Sequence, residues 1–269
     1  MSQFSKHSRA PAVAGMFYPA DVNTLKREIR DYLDNARETS EPSQPLPKAL
    51  VVPHAGYIYS GPVAASAYKQ LLPLKHQISR VVILGPSHKV AFSGLAVPES
   101  ERFITPLGAI AIDQQAIAQL ADLNQVIVSE QAHREEHSLE VQLPFLQEIL
   151  DDFTLVPIVV GDASMQDVAE VINRLWGDQH TLIVISTDLS HYHEYYQAKQ
   201  LDRATSDAIE NLKPELINYE DACGRNGLKG MLSVAREKHL SINTLDLRNS
   251  GDTAGSKDSV VGYGAYAIH

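Results

Sequence analysis

The sequence predicts a single α/β domain over residues 1–269, with a central, mostly parallel mixed sheet flanked by helices in three layers. Apolar runs typical of strands alternate with segments of helical periodicity, which is the order of a layered α/β sheet with right-handed crossovers. Four runs are apolar throughout, as expected of strands covered on both faces: Leu50–Val52, Val81–Leu84, Val156–Val160 and Leu182–Ile185. These strands should form the centre of the sheet.

Composition and charge exclude several classes of protein. The chain is 44% hydrophobic and 21% charged, so it can bury a large core without disulfides or a structural metal. A net charge of -10 argues against sequence-independent binding of nucleic acid, which needs a basic face. There is no run of about 18 apolar residues to span a bilayer and no hydrophobic signal-peptide centre. We therefore expect a cytoplasmic protein without a membrane segment.

Periodicity and turn residues place the individual elements. Asp21 is a candidate N-cap for a first helix that ends near Arg37, and a Ser/Pro/Glu-rich linker follows at 39–47. The other expected helices are 62–72, 114–122, 138–150, 165–176, 196–211 and 226–238. The expected strands are 48–53, 80–85, 93–97, 108–112, 154–160, 181–186 and 241–247. Segments 94–98 and 107–113 form a candidate hairpin, and 259–268 reads as a late antiparallel strand.

Two histidines follow strands at the point where each strand ends. His54 comes directly after the first central run and Pro53, and His88 comes just past the second, after Gly85 and Pro86. Ligands in open α/β sheets gather beyond the carboxyl ends of the strands. A single loop histidine is more often structural than functional, but the repeated placement favours a shared site.

Further reactive groups are expected at the same edge. Asp188 and His191 follow the strand 181–186; Asp188 could be a helix N-cap, or it could orient the histidine or act as a base or ligand. Cys223, the only cysteine, lies in a glycine-containing turn and suits a thiolate ligand or nucleophile. With His54 and His88 it would offer two nitrogens and one thiolate, a donor set suited to zinc, iron or copper.

A second polar cluster spans residues 133–145. His137 precedes an expected helix and could reach the site, whereas Glu140 is expected on a solvated face as a first-turn acid. The His-Glu-x-x-His pattern of zinc proteases is absent, as are the nucleophile-elbow, phosphate-loop and dinucleotide-binding patterns. Those classes of enzyme are therefore not supported.

Seven separated stretches together resemble the Memo family. They are Ala14–Pro19, Pro53–Tyr57, Gly85–His88, Glu136–Phe145, Ser186–His191, Cys223–Arg225 and Lys257–Tyr263. The resemblance implies a fold similar to the catalytic subunit of class III extradiol dioxygenases, which are non-haem Fe(II) enzymes. It also implies that His54, His88 and Cys223 occupy the family's metal-binding positions, with Asp188 and His191 lining the pocket.

The same resemblance limits the reaction that can be inferred. Those dioxygenases use two histidines and a glutamate, whereas this chain offers a soft, oxidisable thiolate. A shared fold does not transfer a reaction. Bacterial and archaeal members of the family are often linked with a radical SAM protein and an AMMECR1-like protein, which suggests a shared pathway. Animal members are described as adaptors in cell motility and as iron or copper binders.

The leading hypothesis is an Fe(II)-dependent oxidoreductase that acts on an unknown small molecule or peptide. His191, aided by Asp188, would be the general base or acid, with His137 as a further catalytic candidate. Tyr57 and Glu136 would line the binding pocket. Two alternatives stay open, with zinc or copper as other metals: hydrolysis by a zinc-bound water, or a peptide- or protein-binding module that uses the same pocket.

Overall fold

A mixed β-sheet flanked by helices forms the middle of the structure, a computed structural model that describes residues 7–37 and 46–269. Residues 39–45 of the expected linker lie outside the described residues. The strands are β1 Ser8–Arg9, β2 Ala49–Val52, β3 Arg80–Pro86, β4 Leu95–Val97, β5 Arg102–Thr105, β6 Gly108–Ala111, β7 Val126–Val128, β8 Thr154–Val160, β9 Thr181–Ser186, β10 His191–His193, β11 Ile242–Asn249 and β12 Val260–Ile268. The predicted α/β class is confirmed.

The four central runs form the parallel part of the sheet. Neighbouring strands follow the order β2, β9, β3, β8, and each pair is parallel. Strand β12 adds antiparallel to β2 and also pairs with β11 and β10, while β4 pairs antiparallel with β8 and parallel with β7. The antiparallel last strand was predicted from its sequence. Because β2, β3 and β9 are neighbours and parallel, their carboxyl ends open on one edge.

Helices cover both faces of this sheet. They are α1 Val22–Asp34, α2 Tyr57–Tyr68, α3 Gln114–Ala118, α4 Glu130–Arg134, α5 Leu143–Ile149, α6 Met165–Arg174, α7 Tyr195–Glu210 and α8 Arg225–Glu237. Alternate residues of β3 point to opposite faces: Val81 and Ile83 join the core under α1, α2 and α5, and Val82 and Leu84 join the core under α6 and α8. Within the described ranges, no helix is long and apolar enough to cross a membrane.

Two predicted helices that contain proline have different bounds in the structure. The helix expected at 62–72 begins earlier, at Tyr57, so Pro62 lies inside it. The N–H of Tyr57, free at the start of the helix, donates to Phe17 O at 2.8 Å. The helix expected at 138–150 is split into a 3₁₀ turn, Glu140–Gln142, and α5. Pro144 stands in the first turn of α5, where its missing N–H removes no intrahelical hydrogen bond.

The candidate hairpin between 94–98 and 107–113 is wrong. Strand β4 pairs with β7 and β8 inside the large sheet, whereas β6 forms a hairpin with β5, in a three-stranded sheet that also includes β1. The segment before β6, Arg102–Thr105, carries the missed strand. Its antiparallel pairing buries Phe103 and Ile110 on the same side of the core.

The expectation that Glu140 lies on a solvated face is also wrong. Its side chain is 0% exposed and forms an ion pair of 2.7 Å with Arg9, whose side chain is 2% exposed. The Glu140 carboxylate also accepts hydrogen bonds from the backbone N–H groups of Ala12 and Val13 and from the Tyr18 hydroxyl. A buried carboxylate is tolerated because every lone pair that would face water has a donor in the protein.

Replacing one partner of this ion pair should destabilise the fold strongly. We expect Arg9→Met to lower the free energy of unfolding by about 3–5 kcal/mol, because it leaves a buried charge without a counter-ion. The matched control is Arg30→Met, which removes an ion pair of 2.6 Å to Glu148 from a side chain that is 63% exposed. That control should cost about 1 kcal/mol or less. Urea unfolding measures both, and equal losses would contradict the assigned role of Arg9.

Candidate metal centre

Three elements bring two imidazoles and a thiol to one point. His54 follows β2, His88 follows β3, and Cys223 comes from the turn before α8. One ligand atom from each side chain lies within 4.8 Å of the other two. The strand-end placement predicted this meeting of the two histidines, and the structure brings Cys223 to them.

The spacing between Cys223 and His54 fits a shared metal ion. Cys223 Sγ lies 3.3 Å from His54 Nε2. A tetrahedral ion bound at ordinary Zn–S and Zn–N lengths would hold its sulfur and nitrogen ligands about 3.5 Å apart. The observed separation of this pair is therefore close to the one that a shared ion requires.

His88 is oriented by a buried carboxylate. Its Nδ1 lies 2.9 Å from Glu136 Oε1, and its backbone N–H donates to Glu136 Oε2 at 2.5 Å. An ionised carboxylate only accepts, so Nδ1 carries a hydrogen, and in the neutral ring Nε2 then keeps the lone pair that a metal needs. A carboxylate behind a metal-binding imidazole is a common arrangement in metalloproteins.

The environment of Glu136 keeps that carboxylate ionised. Burial alone would raise the pKa of Glu136, but hydrogen bonds from the His88 ring and from the backbone N–H groups of His88 and Ser138 outweigh it and lower the pKa to about 2. The Glu136 side chain is fully buried. Although Glu136, His88 and His137 also form a compact group, the Glu136 oxygens are already engaged by N–H donors, which suits an orienting partner.

Asp188 connects the other two ligands. Its carboxylate accepts the backbone N–H of His54 at 2.7 Å, and its own N–H donates to Cys223 Sγ at 3.3 Å. Burial raises the pKa of Asp188 to about 7. Because Asp188 accepts the N–H of His54, it fixes the loop that carries this histidine. The action of Asp188 and His191 as an acid–base pair stays a prediction.

A cavity of about 740 Å³ opens onto the group. His88, Cys223 and His191 line it, together with the apolar side chains of Val90 and Phe92. Burial lowers the pKa of His191, and it lowers the pKa of His137, whose ring lies beside His88, to about 4. Both imidazoles are thus held neutral, a state in which each ring can accept a proton.

Of the two further site candidates, His137 contacts the candidate ligands and Tyr57 packs in the core. The His137 ring is 4.5 Å from the His88 ring and 5.5 Å from the His54 ring, so the structure brings it to the group. Tyr57 is buried in the core, where its hydroxyl donates to Val141 O and its ring packs against Phe145.

Sequence reasoning missed two polar residues at the base of the site. Ser186 Oγ lies 2.9 Å from His54 Nδ1, and Gln142 Nε2 donates to Ser186 Oγ at 2.8 Å. Both residues are buried. A polar residue that ends a continuous apolar strand, as Ser186 ends β9, was the available signal.

Gly224 should be required for the position of Cys223. A Cβ added to Gly224 would lie 2.6 Å from Ser186 O and 2.7 Å from Thr187 Cβ, so the start of α8 would have to shift. We expect Gly224→Ala to lower the free energy of unfolding by about 1–3 kcal/mol. Gly227→Ala on the same helix is the control, since its nearest contact would be 3.8 Å; it should be neutral or stabilising by up to about 1 kcal/mol. Urea denaturation compares them, and a harmless Gly224→Ala would contradict the tight approach.

Comparison with known proteins places the chain among related sequences. The family model described as Memo-like protein matches residues 9–267. A MEMO1 family protein of Sulfolobus acidocaldarius is 37% identical over 276 residues, covering 95% of this chain and 97% of the relative. A MEMO1 family protein of Ignicoccus hospitalis is 38% identical over 281 residues, covering 96% and 97%. Among solved structures, an uncharacterized protein of Escherichia coli K12 gives a TM-score of 0.46 at 14% identity, covering 80% of this chain and 98% of that one. On the family match and the sequence identities, the chain belongs to the Memo family.

Proposed function

We propose that this Memo family protein is a metal-dependent oxidoreductase whose ion, Fe(II), is held by His54, His88 and Cys223. The observation that carries the proposal is the convergence of these three ligand atoms within 4.8 Å at the carboxyl edge of the sheet. His54 needs no deprotonation to bind, because burial lowers the pKa of its ring well below the ordinary value. Glu136 holds a hydrogen of the His88 ring on Nδ1.

The choice of iron over zinc and copper rests on the family resemblance. A set of two nitrogens and one sulfur accepts all three metals, so the donors alone do not choose. The cavity beside His88 and Cys223 leaves room for further ligands, as a metal that binds substrate requires. The resemblance to the Fe(II) dioxygenase fold then favours iron, with a thiolate in place of the expected glutamate.

Each residue around the centre would have a separate role. Fe(II) would supply one-electron redox chemistry at its open positions. His54 and His88 would bind through Nε2, with Glu136 holding the His88 ring in place. His191, neutral and lining the cavity, would accept or return a proton at the substrate. Val90 and Phe92 would exclude water from one wall.

We further propose a small molecule or peptide as the substrate, since the cavity of about 740 Å³ has the size of a small-molecule site. Nucleic acid is not proposed as a partner, given the net charge of -10. A shared pathway with a radical SAM protein and an AMMECR1-like protein, and a place in the cytoplasm, belong to the same proposal.

Metal content is the first test. Protein purified without oxygen and loaded with Fe²⁺ should hold one ion per chain, and His54→Ala should lose it, because one of three protein ligands is gone. The matched control is His76→Ala, since the His76 side chain is 81% exposed. Elemental analysis measures the iron, and full retention of iron by His54→Ala would contradict the assigned ligand.

Nitric oxide, an analogue of dioxygen, tests for an open position without knowledge of the substrate. The iron-loaded protein should bind nitric oxide and give a paramagnetic signal, whereas the zinc-loaded protein should give none. An iron centre that takes up no nitric oxide would contradict the oxidoreductase and favour a binding module with a structural metal. Hydrolysis by the zinc form in the absence of oxygen would favour the zinc hydrolase.

A further inference from the structure

A chain of hydrogen bonds runs through His54 and ends on a backbone group at each side. At one end is the carbonyl oxygen of Ser138, which can only accept; at the other is the N–H of Asp188, which can only donate. Ser186, His54 and Cys223 lie between them. The fixed role of Ser138 O sets the direction of the hydrogen bonds from Ser186 to His54, and the Asp188 end is compatible with that direction.

The hydrogen bonds between Ser138 and His54 determine the role of one ring nitrogen, Nδ1. Ser186 Oγ lies 2.6 Å from Ser138 O, so its single hydrogen is donated there. Gln142 Nε2 also donates to Ser186 Oγ, and its identity as the nitrogen is fixed because the same atom donates to Pro53 O at 3.0 Å. Ser186 Oγ can therefore only accept from His54 Nδ1, which lies 2.9 Å away.

The hydrogen bonds between Asp188 and His54 are consistent with this role of Nδ1. The N–H of Asp188 donates to Cys223 Sγ at 3.3 Å, so the sulfur is already an acceptor. Cys223 Sγ lies 3.3 Å from His54 Nε2 and 3.7 Å from Asp188 O. The nearer acceptor for the thiol hydrogen is Nε2, which has a free lone pair only if the ring hydrogen is on Nδ1.

We infer that Ser186 is a positioning residue that selects the Nδ1–H tautomer of His54 and so directs the Nε2 lone pair towards Cys223. The opposite tautomer would require the Ser186 hydroxyl to turn away from Ser138 O. That would leave a carbonyl without its hydrogen bond beside a serine that is 0% exposed. The assignment of this tautomer depends only on the geometry of the metal-free protein. Its use for binding a metal rests on the proposed function.

The test reads the tautomer directly. In metal-free protein with ¹⁵N-labelled histidine, long-range ¹H–¹⁵N correlation spectra distinguish a protonated from an unprotonated ring nitrogen at His54. The wild type should show hydrogen on Nδ1. Ser186→Ala removes the acceptor of that hydrogen, so the Nε2–H form should appear or dominate.

Gln142→Met is the matched control. It also removes a buried polar contact to Ser186, but it leaves the bond from Ser186 to Ser138 O in place, so His54 should keep its hydrogen on Nδ1. A role in folding alone would disturb both variants alike and would not move the tautomer in one of them. Titration with Zn²⁺ as the probe should show a 10–100-fold loss of affinity for Ser186→Ala, the usual effect of removing a residue that orients a ligand.

Two results would overturn the inference. One is a wild-type spectrum with hydrogen on Nε2 of His54, which needs no variant and cannot be obscured by misfolding. The other is a Ser186→Ala spectrum identical to that of the wild type. If instead the tautomer shifts as expected but the protein takes up no iron, the inference stands and the proposed oxidoreductase fails.

Discussion

The burial of one carboxylate, Glu140, is the constraint on which the rest of the structure depends. Its partners come from the amino-terminal segment, where Arg9, Ala12, Val13 and Tyr18 all donate to it. The guanidinium of Arg9 also donates to the carbonyl oxygens of residues 133 and 136 at 2.6 Å each. A charge that is excluded from water must keep all its donors, so these contacts hold segment 133–142 against the start of the chain.

That segment carries the groups that orient the candidate metal ligands. Glu136 fixes the His88 ring, the carbonyl of Ser138 receives the Ser186 hydroxyl, and Gln142 completes the base of the site beside His54. The strands alone bring the imidazoles to one edge of the sheet. Segment 133–142 orients both rings, the His88 ring directly through Glu136 and the His54 ring indirectly, because Ser138 O sets the direction of the Ser186 hydroxyl. The position of this segment depends on Glu140. Stability and chemistry are therefore coupled through residues 133–142.

The sequence predicted the structure best where an element depends only on residues close to it along the chain. Strands 154–160 and 181–186 could be predicted to the residue, because a continuous apolar run between turn residues has few other solutions in this fold class. The pairing of β6 with β5 could not, because register between short strands is set by tertiary packing. For the candidate site, strand ends and a lone cysteine indicated His54, His88 and Cys223, which the structure brings together. The end of β9 could have marked Ser186 as a candidate. The partners of Ser186 and Glu140 lie more than 40 residues away, and no local pattern reveals them.

The two imidazoles are held in different ways, His88 by a charged carboxylate and His54 by a neutral hydroxyl. On the proposed function, this difference balances the charge of the centre. A divalent ion with one thiolate carries a net positive charge, and Glu136, whose pKa is lowered to about 2, offsets it from behind His88. A second ionised carboxylate behind His54 would add a buried charge without a partner. A serine behind His54 orients the ring without disturbing that balance.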